Sequence, residues 1–391
     1  MNRIETFVSK KTNIFLLFAM IALAASVQSL SHGPIHYADG EIHYSHYNNY
    51  TIFERSFYHL KNGQDLYIEY PNEQWDLYKY TPTFSVFFGV FAVFPDWLGL
   101  CLWNLLNALV LVLAIYYLPK LDDYKKGIVS LLVLIELITS LQNAQSNALI
   151  AGLLVLSFGL LENKKYLWAV LCIVFSAYIK IFGIVGFALF LFYPKKWKLA
   201  LYTLGWTVVL FLMPLMFIDY HQYIKLFESY KSMLDADHSA SMGYSVMGWL
   251  HSWFGLDISK GALVLGGAVV FMVPFAFLSR YSNYTFKVLA LTSVLLWIVI
   301  FNHKAESPTF IIAMTGVALW FVVSEKNKLN TALMVIAIVF TSLSSTDVFP
   351  KFVRLDYFMP YSVKAVPCIV VWGKVMWDMV RMGRRAGAER V

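Results

Sequence analysis

The chain is 391 residues long, 59% hydrophobic and 17% aromatic, with 14% charged residues and a net charge of +7. Soluble domains run at roughly 45–50% apolar and about 25% charged residues. Too few polar side chains exist here to coat water-facing domains, so the composition excludes both a soluble globular protein and a disordered one. Cys101, Cys172 and Cys368 each sit in an apolar stretch without metal-ligand spacing, which argues against disulfides and zinc.

In chain order, Arg3, Lys10 and Lys11 precede an apolar run from Ile14 to about Leu30. It lacks a small-x-small cleavage site and many further runs follow, so it reads as a retained first helix rather than a removed signal. Residues 31–97 then form a polar loop rich in tyrosine, with His32, His36, His43, His46 and His59 too loosely spaced for a metal site. Within it, Ile52, Phe53, Ser56, Phe57 and Leu60 recur at helical spacing and predict an amphipathic helix on the outer surface, ending at Asn62-Gly63. The Tyr80-Thr81-Pro82 step fixes extended backbone, because a residue before proline avoids the helical region.

Further apolar runs lie at about 98–118, 127–142, 147–161, 166–179, 181–193, 199–218, 259–279, 287–302, 308–323, 331–346 and 361–380. Several fall short of the ~20 residues that cross hydrocarbon directly, as helices lining a polar cavity often do. Lys and Arg gather in cytoplasmic loops. Lys120 with Lys125 and Lys126, Lys164 with Lys165, Lys195 with Lys196 and Lys198, Arg280 with Lys287, Lys326 with Lys328, and Arg381 with Arg384 and Arg385 fall on one side if every run crosses once. That parity holds only if the apolar segment 84–94 stays in the outer interface, ended by Pro95 and anchored by Trp97. The expectation is one integral domain over 1–391, all-α and multi-pass, with about twelve spans, both termini cytoplasmic, and outer loops at 31–97 and 219–258. With its cations at membrane edges, the chain is not expected to bind nucleic acid.

Polar groups at membrane depth are costly unless they face a cavity or a partner. Four sites qualify: Glu136, the Gln145-Ser146-Asn147 turn, Lys180, and the junction from Asn302 through His303 and Lys304 to Glu306. All but Glu136 lie near outer helix ends, where they can converge with the first outer loop. Bland readings stand beside the functional ones: Lys180 snorkels to the interface or binds phosphate, Glu136 pairs with a helix neighbour, and Gln145 and Asn147 cap helices.

The order NNY at 48–50, NGQDLY at 62–67, YKYTPTF at 78–84, LWNLLN at 102–107, QSNALIAGLL at 145–154, AYIKIFGI at 177–184 and HSASMGYSVMGWL at 238–250 resembles glycosyltransferase family 87. The resemblance runs over about residues 45–325. It implies the GT-C class: a multi-pass bundle with interfacial helices in its first outer loop, transferring a sugar from a polyprenyl-phosphate donor to a lipid or glycan acceptor. Further implications are a mannose-like hexose, inversion at the anomeric carbon, no metal or other cofactor, and a bacterial plasma (inner) membrane location with the active site facing the periplasm. Where the family carries a catalytic aspartate this chain has Asn49, which accepts no proton; its Lys-x-x-Pro segment ends here in Gly183, and Thr83 replaces a second proline.

Another carboxylate must then act as base: Asp76 first, Glu54 second, with Asp39, Glu41, Asp235 and Asp237 behind them. Lys79, Tyr80, Gln145, Asn147, Lys180 and His303 are the expected phosphate-binding groups. Two rival functions are a transporter or flippase of lipid-linked glycans, for which no internal repeat is evident, and a non-catalytic relative of the enzyme.

Overall fold

The computed structural model describes residues 3–37, 42–236 and 241–388; of the candidate carboxylates, Asp39, Glu41 and Asp237 lie outside them. The helices in chain order are α1 (Arg3–Ser9), α2 (Lys11–Ser31), α3 (Asn48–Lys61), α4 (Pro82–Ala92), α5 (Asp96–Tyr117), α6 (Asp123–Leu132), α7 (Leu134–Gln142), α8 (Asn147–Glu162) and α9 (Tyr166–Ile179). After a 3₁₀ segment, Ile181–Phe192, come α10 (Lys196–Leu212), α11 (Tyr220–Ala236), α12 (Val246–Phe254), α13 (Lys260–Met272), α14 (Tyr284–Ile300), α15 (Phe310–Val323), α16 (Lys328–Ala337), α17 (Lys351–Val353) and α18 (Val366–Ala388). The first loop adds one feature the all-α expectation omits, an antiparallel pair of short strands, β1 (Ile35–Tyr37) and β2 (Ile42–Tyr44), with His36 opposite His43.

The apolar runs all fall on helical segments. Among the described residues, three helical segments, Lys11–Ser31, Asp96–Tyr117 and Lys196–Met216, are long and apolar enough to cross a membrane, and eight more apolar helices are shorter. Helix α8 is buried on nearly every side, from Ala148 through Leu161, and packs between α5 and α9, while α14 packs on α15 and α18. Gly152 permits the close approach of α8 to α5, since a Cβ there would stand 2.9 Å from the Leu111 backbone. By contrast α10 leaves Leu201, Leu204, Val208, Val209, Phe211 and Leu212 exposed, which is stable only against an apolar solvent.

Several runs are broken where sequence periodicity gives no warning. The run at 127–142 divides at Val133 into α6 and α7. The run at 331–346 passes into a π-helical turn, Ile338–Ser342. The 3₁₀ segment buries every third residue, Gly183, Gly186, Leu189 and Phe192, as three residues per turn requires. Its 12 residues extend about 24 Å at the 3₁₀ rise of about 2.0 Å, against about 18 Å for an α-helix of that length.

Helix α3 ends as the sequence indicates, with Asn62 at its C-cap and Gly63 left-handed at φ +73°. Its apolar face, Tyr50, Phe53, Phe57 and Leu60, is buried and the helix packs on α4, while Arg55 and Lys61 stay exposed. Helix α4 has 11 residues, about 16 Å, and is too short to cross ~30 Å of hydrocarbon. Phe53, Phe84, Phe88 and Trp103 meet edge to face or tilted, with ring centroids 5.1–6.1 Å apart. Such pairs contribute about 0.5–1.5 kcal/mol each beyond their buried area.

Candidate active site

The start of α3 pins two chain segments in place. Asn48 pairs with the Trp75 backbone in both directions, its Nδ2 donating to the carbonyl at 2.7 Å and its Oδ1 accepting from the amide at 2.9 Å. Asn49 donates from Nδ2 to the Asn143 carbonyl at 2.9 Å. An aspartate at 49 would have no hydrogen to give there, so in this chain the position serves as a tie between α3 and the turn after α7. Held by Asn48, the chain enters Asp76 in the left-handed region at φ +75°, one of the few non-glycine residues for which that is common. The Asp76 carboxylate accepts from its neighbour's amide, Leu77, at 2.7 Å and from Lys79 Nζ at 2.8 Å.

Deeper in, Lys180 ends α9 with extended backbone, φ −139° and ψ 127°. Its half-buried ammonium donates to Gln145 Oε1 at 3.3 Å and Asn147 Oδ1 at 3.0 Å, and lies 5.5 Å from the centre of the Tyr80 ring. Among the described residues no carboxylate reaches it within ion-pair distance. Tyr80 stacks on Phe84 at 4.9 Å, and its hydroxyl points to Gln145 Oε1 at 3.5 Å. Thr81 caps α4 and donates to the Tyr178 carbonyl at 2.5 Å, which fixes the Tyr80-Thr81-Pro82 step against the end of α9.

The turn carrying Gln145 and Asn147 is braced from α5. Trp103 Nε1 donates to the Ala144 carbonyl at 2.9 Å, and Asn107 Oδ1 accepts from the Leu149 amide at 3.0 Å. The second bond satisfies an otherwise orphaned amide in the first turn of α8 from a neighbouring helix. Ala144 itself is left-handed at φ +47°. The two asparagines of LWNLLN are fully buried, and Asn104 donates to Ser26 Oγ at 2.9 Å.

These groups surround a cavity of about 580 Å³ lined by Asn48, Asn49, Asp76, Lys79, Tyr80, Asn143, Gln145 and Lys180. Asn302, Lys304 and Glu306 line it from the α14–α15 junction, and Ile181 and Phe182 from the start of the 3₁₀ segment. Among the described residues its lining carboxylates are Asp76 and Glu306, and the Glu306 side chain also caps the Thr309 amide. The first loop, Gln145, Lys180 and the 302–306 junction therefore meet in one place. Among the described residues no three His, Cys, Asp or Glu side chains group as metal ligands.

Four candidates sit elsewhere. Glu54 does not line the cavity: it is buried on another face of α3 beside Asp96, and that burial, reinforced by the Asp96 carboxylate, pushes its pKa up to about 7. The helical turn that aims Ile52 and Phe53 at the cavity aims Glu54 away from it. His303 is also off the lining; its Nε2 lies 3.4 Å from Lys260 Nζ while its neighbours Asn302 and Lys304 face inward. Asn147 is buried behind Lys180 and reaches the cavity only through that ammonium. Asp235, near the end of α11, is exposed and lines no part of the cavity. Tyr230 and Leu234 of α11 do line it and escape a sequence reading that treats 219–258 as loop, although Tyr223, Phe227, Tyr230 and Leu234 recur at intervals of three and four.

No curated protein matches the chain. The family model of glycosyltransferase family 87 matches residues 78–301, more than half of it. That segment opens on the Tyr78-Lys79-Tyr80 step, carries Trp103, Asn107, Gln145 and Lys180, and closes one residue before Asn302; on that match the chain belongs to glycosyltransferase family 87.

Proposed function

We propose that the chain transfers a hexose, mannose-like as the first to test, from a polyprenyl-phosphate donor to a lipid or glycan acceptor at the outer face of the plasma membrane. The observation that carries this is Lys180. An ammonium has three hydrogens to donate; two go to the neutral oxygens of Gln145 and Asn147, leaving the third and an uncompensated positive charge for a phosphate. Beside it, Ile181 and Ile184, exposed, and Phe187 and Phe190, partly exposed, recur every third residue on one face of the 3₁₀ segment, an apolar edge about 18 Å long at about 2.0 Å per residue, which suits a prenyl chain whose phosphate stops at Lys180.

In this reading the phosphate leaves the anomeric carbon as the acceptor oxygen attacks from the opposite face, giving inversion. Lys180 stabilises charge developing on the leaving phosphate, and Asp76, at the rim with Lys79, takes the acceptor hydroxyl's proton. Tyr80 and Gln145 hold the cation so that it need not reorganise during the reaction. Asn49 contributes position rather than proton transfer.

Membranes containing the full chain should move radiolabelled hexose from its polyprenyl phosphate to endogenous acceptor. Asp76→Asn is expected to lower kcat by about 10²–10⁴-fold. Lys180→Ala should cost a similar factor in kcat/KM, with kcat falling as well as KM rising. Wild-type rates in both variants, at equal protein levels, would refute the site; absence of transfer by wild type from any polyprenyl-phosphate hexose would refute the proposed sugar donor.

A further inference from the structure

A second cavity, of about 420 Å³, lies at the other end of α8 and is lined by Lys164, Lys165, Tyr166, Leu167, Trp168 and Tyr202. Helix α8 begins at the Gln145–Asn147 turn and has 16 residues, so the two cavities are separated by about 24 Å along its axis. This is most of the ~30 Å hydrocarbon thickness and too far for one binding site.

The charge balance there is one-sided. Glu162, the carboxylate that ends α8, is already held by Lys287 Nζ at 2.7 Å and the Tyr193 hydroxyl at 2.8 Å. Lys164 and Lys165 are exposed, and among the described residues neither has a carboxylate within ion-pair distance. The Lys165 ammonium lies 5.6 Å from the centre of the Tyr117 ring. Trp168 is 54% exposed and its ring is 6.2 Å from that of Trp206, whose Nε1 donates to the Leu167 carbonyl at 3.0 Å. Aromatic rings around a basic opening are what a headgroup layer favours.

The turn is also built to keep a cation. The Lys165 amide bonds back to the Leu160 carbonyl at 2.8 Å and the Lys164 amide to Leu161 at 3.0 Å, the double bond pattern that closes a helix through a left-handed residue. Glycine suits that position best, yet Lys164 occupies it at φ +60°. Lys120 and Lys195 do the same in the neighbouring basic turns, at φ 59° and 65°.

We propose that the Lys164–Tyr202 cavity binds the phosphate of an anionic phospholipid headgroup, in the leaflet opposite the sugar-transfer site. The two ammonium groups take the phosphate, and Trp168 and Tyr202 border the glycerol and upper acyl region.

The test uses the full chain in phosphatidylcholine nanodiscs, titrated with short-chain phosphatidylglycerol, with phosphatidylcholine as the neutral arm and inorganic phosphate as the free-anion arm, read by thermal shift and by lipid retained in native mass spectrometry. Phosphatidylglycerol is expected to bind and stabilise where the other two do not. At about 1 kcal/mol per cation near the surface, the double variant Lys164→Gly, Lys165→Gln should bind about 30-fold more weakly at low salt. Glycine fits the left-handed position, so that variant keeps its turn; Lys165→Gln alone should show about fivefold weakening without any change at the strained residue. Lys120→Gly, in a basic turn that does not line the cavity, should leave affinity within about twofold because it makes no contact with the headgroup. Unchanged affinity in the double variant overturns the proposal. Equal protection by inorganic phosphate, or equal weakening by Lys120→Gly, overturns it as well.

Discussion

Glu136 and Lys364 form an ion pair whose side chains are 0% and 2% exposed, with Nζ 2.6 Å from Oε1. The ammonium also donates to the Thr341 carbonyl at 2.9 Å and faces the Phe310 ring at 5.3 Å. At an effective dielectric of about 20 the attraction at this distance is about 6 kcal/mol. Removing two ions from water costs several kcal/mol each, so the pair as a whole is close to neutral. Either ion without the other is not. Glu136→Gln or Lys364→Met should therefore destabilise by about 3–5 kcal/mol, whereas Glu136→Leu with Lys364→Met should lie within about 1 kcal/mol of wild type or above it. Equilibrium unfolding of the full chain in mixed micelles, run as a double-mutant cycle, measures this directly. Single variants within about 1 kcal/mol of wild type would refute the reasoning, because a buried lone charge cannot be that inexpensive. The pair matters beyond stability, since α7 leads straight into Asn143 and Gln145 at the cavity, and Lys364 lies beyond the segment that the family model matches.

Three further outcomes follow from the packing. Asn107→Ala removes the acceptor for the Leu149 amide, and should raise KM for the sugar donor severalfold and cost about 1–3 kcal/mol, with Asn107→Asp, which still accepts, recovering most of the KM; steady-state kinetics with matched unfolding curves separate the two effects. Gly152→Ala places a Cβ 2.9 Å from the Leu111 backbone and should cost about 1–3 kcal/mol, while Gly205→Ala on the exposed face of α10 meets nothing within 4 Å and should be neutral or stabilising by up to about 1 kcal/mol, as melting temperatures will show. Glu54 has a folded-state value of about 7 against 4.5 ordinarily, so the protonated form is the one folding favours: its contribution is complete below about pH 4.5 and is lost as pH rises through about 7. Glu54→Gln should flatten that decline, and a wild-type-minus-variant melting difference that stays constant from pH 5 to pH 9 would contradict it.

What the sequence disclosed and what it concealed divide along the range of the interactions. Composition and apolar runs identify a membrane-type helical chain because hydrophobicity acts locally. Asn62-Gly63 marks the end of α3 because a left-handed C-terminal residue is a property of one turn. Gln145, Lys180 and the 302–306 junction meet because each is a polar interruption where an apolar run turns back. Glu54 is legible as a carboxylate on the right helix but not as a buried one, since its environment depends on Asp96, far along the chain. Lys364 as the partner of Glu136, 228 residues away, carries no local signal at all. His303 misleads for the opposite reason: adjacent residues on an irregular turn face different ways, and Asn302 and Lys304 took the inward positions.

Among the described residues, α3, the 143–147 turn and α9 are tied to their neighbours by amide, indole and hydroxyl groups, while the Asp76–Lys79 ion pair stays within one loop. Asn48 grips Trp75, Asn49 grips Asn143, Asn107 receives the Leu149 amide, Trp103 donates to Ala144, and Thr81 to Tyr178, every one of them reaching backbone. Such ties set distances without adding charge. Were α3, the 143–147 turn and α9 joined instead by lysine–carboxylate bridges, the Lys180 ammonium would face a fixed anion, and a phosphate would have to displace that partner before it could bind. Neutral scaffolding leaves Lys180, among the described residues, with Gln145, Asn147 and the Tyr80 and Phe182 rings around it, oriented but uncompensated. It follows that Gln145→Glu, which changes one atom in outline and adds one negative charge 3.3 Å from Lys180, should abolish sugar transfer about as completely as Lys180→Ala while leaving the fold intact or strengthened. Full activity in Gln145→Glu, measured with the same labelled donor, would show that the charge on Lys180 is not what the substrate meets.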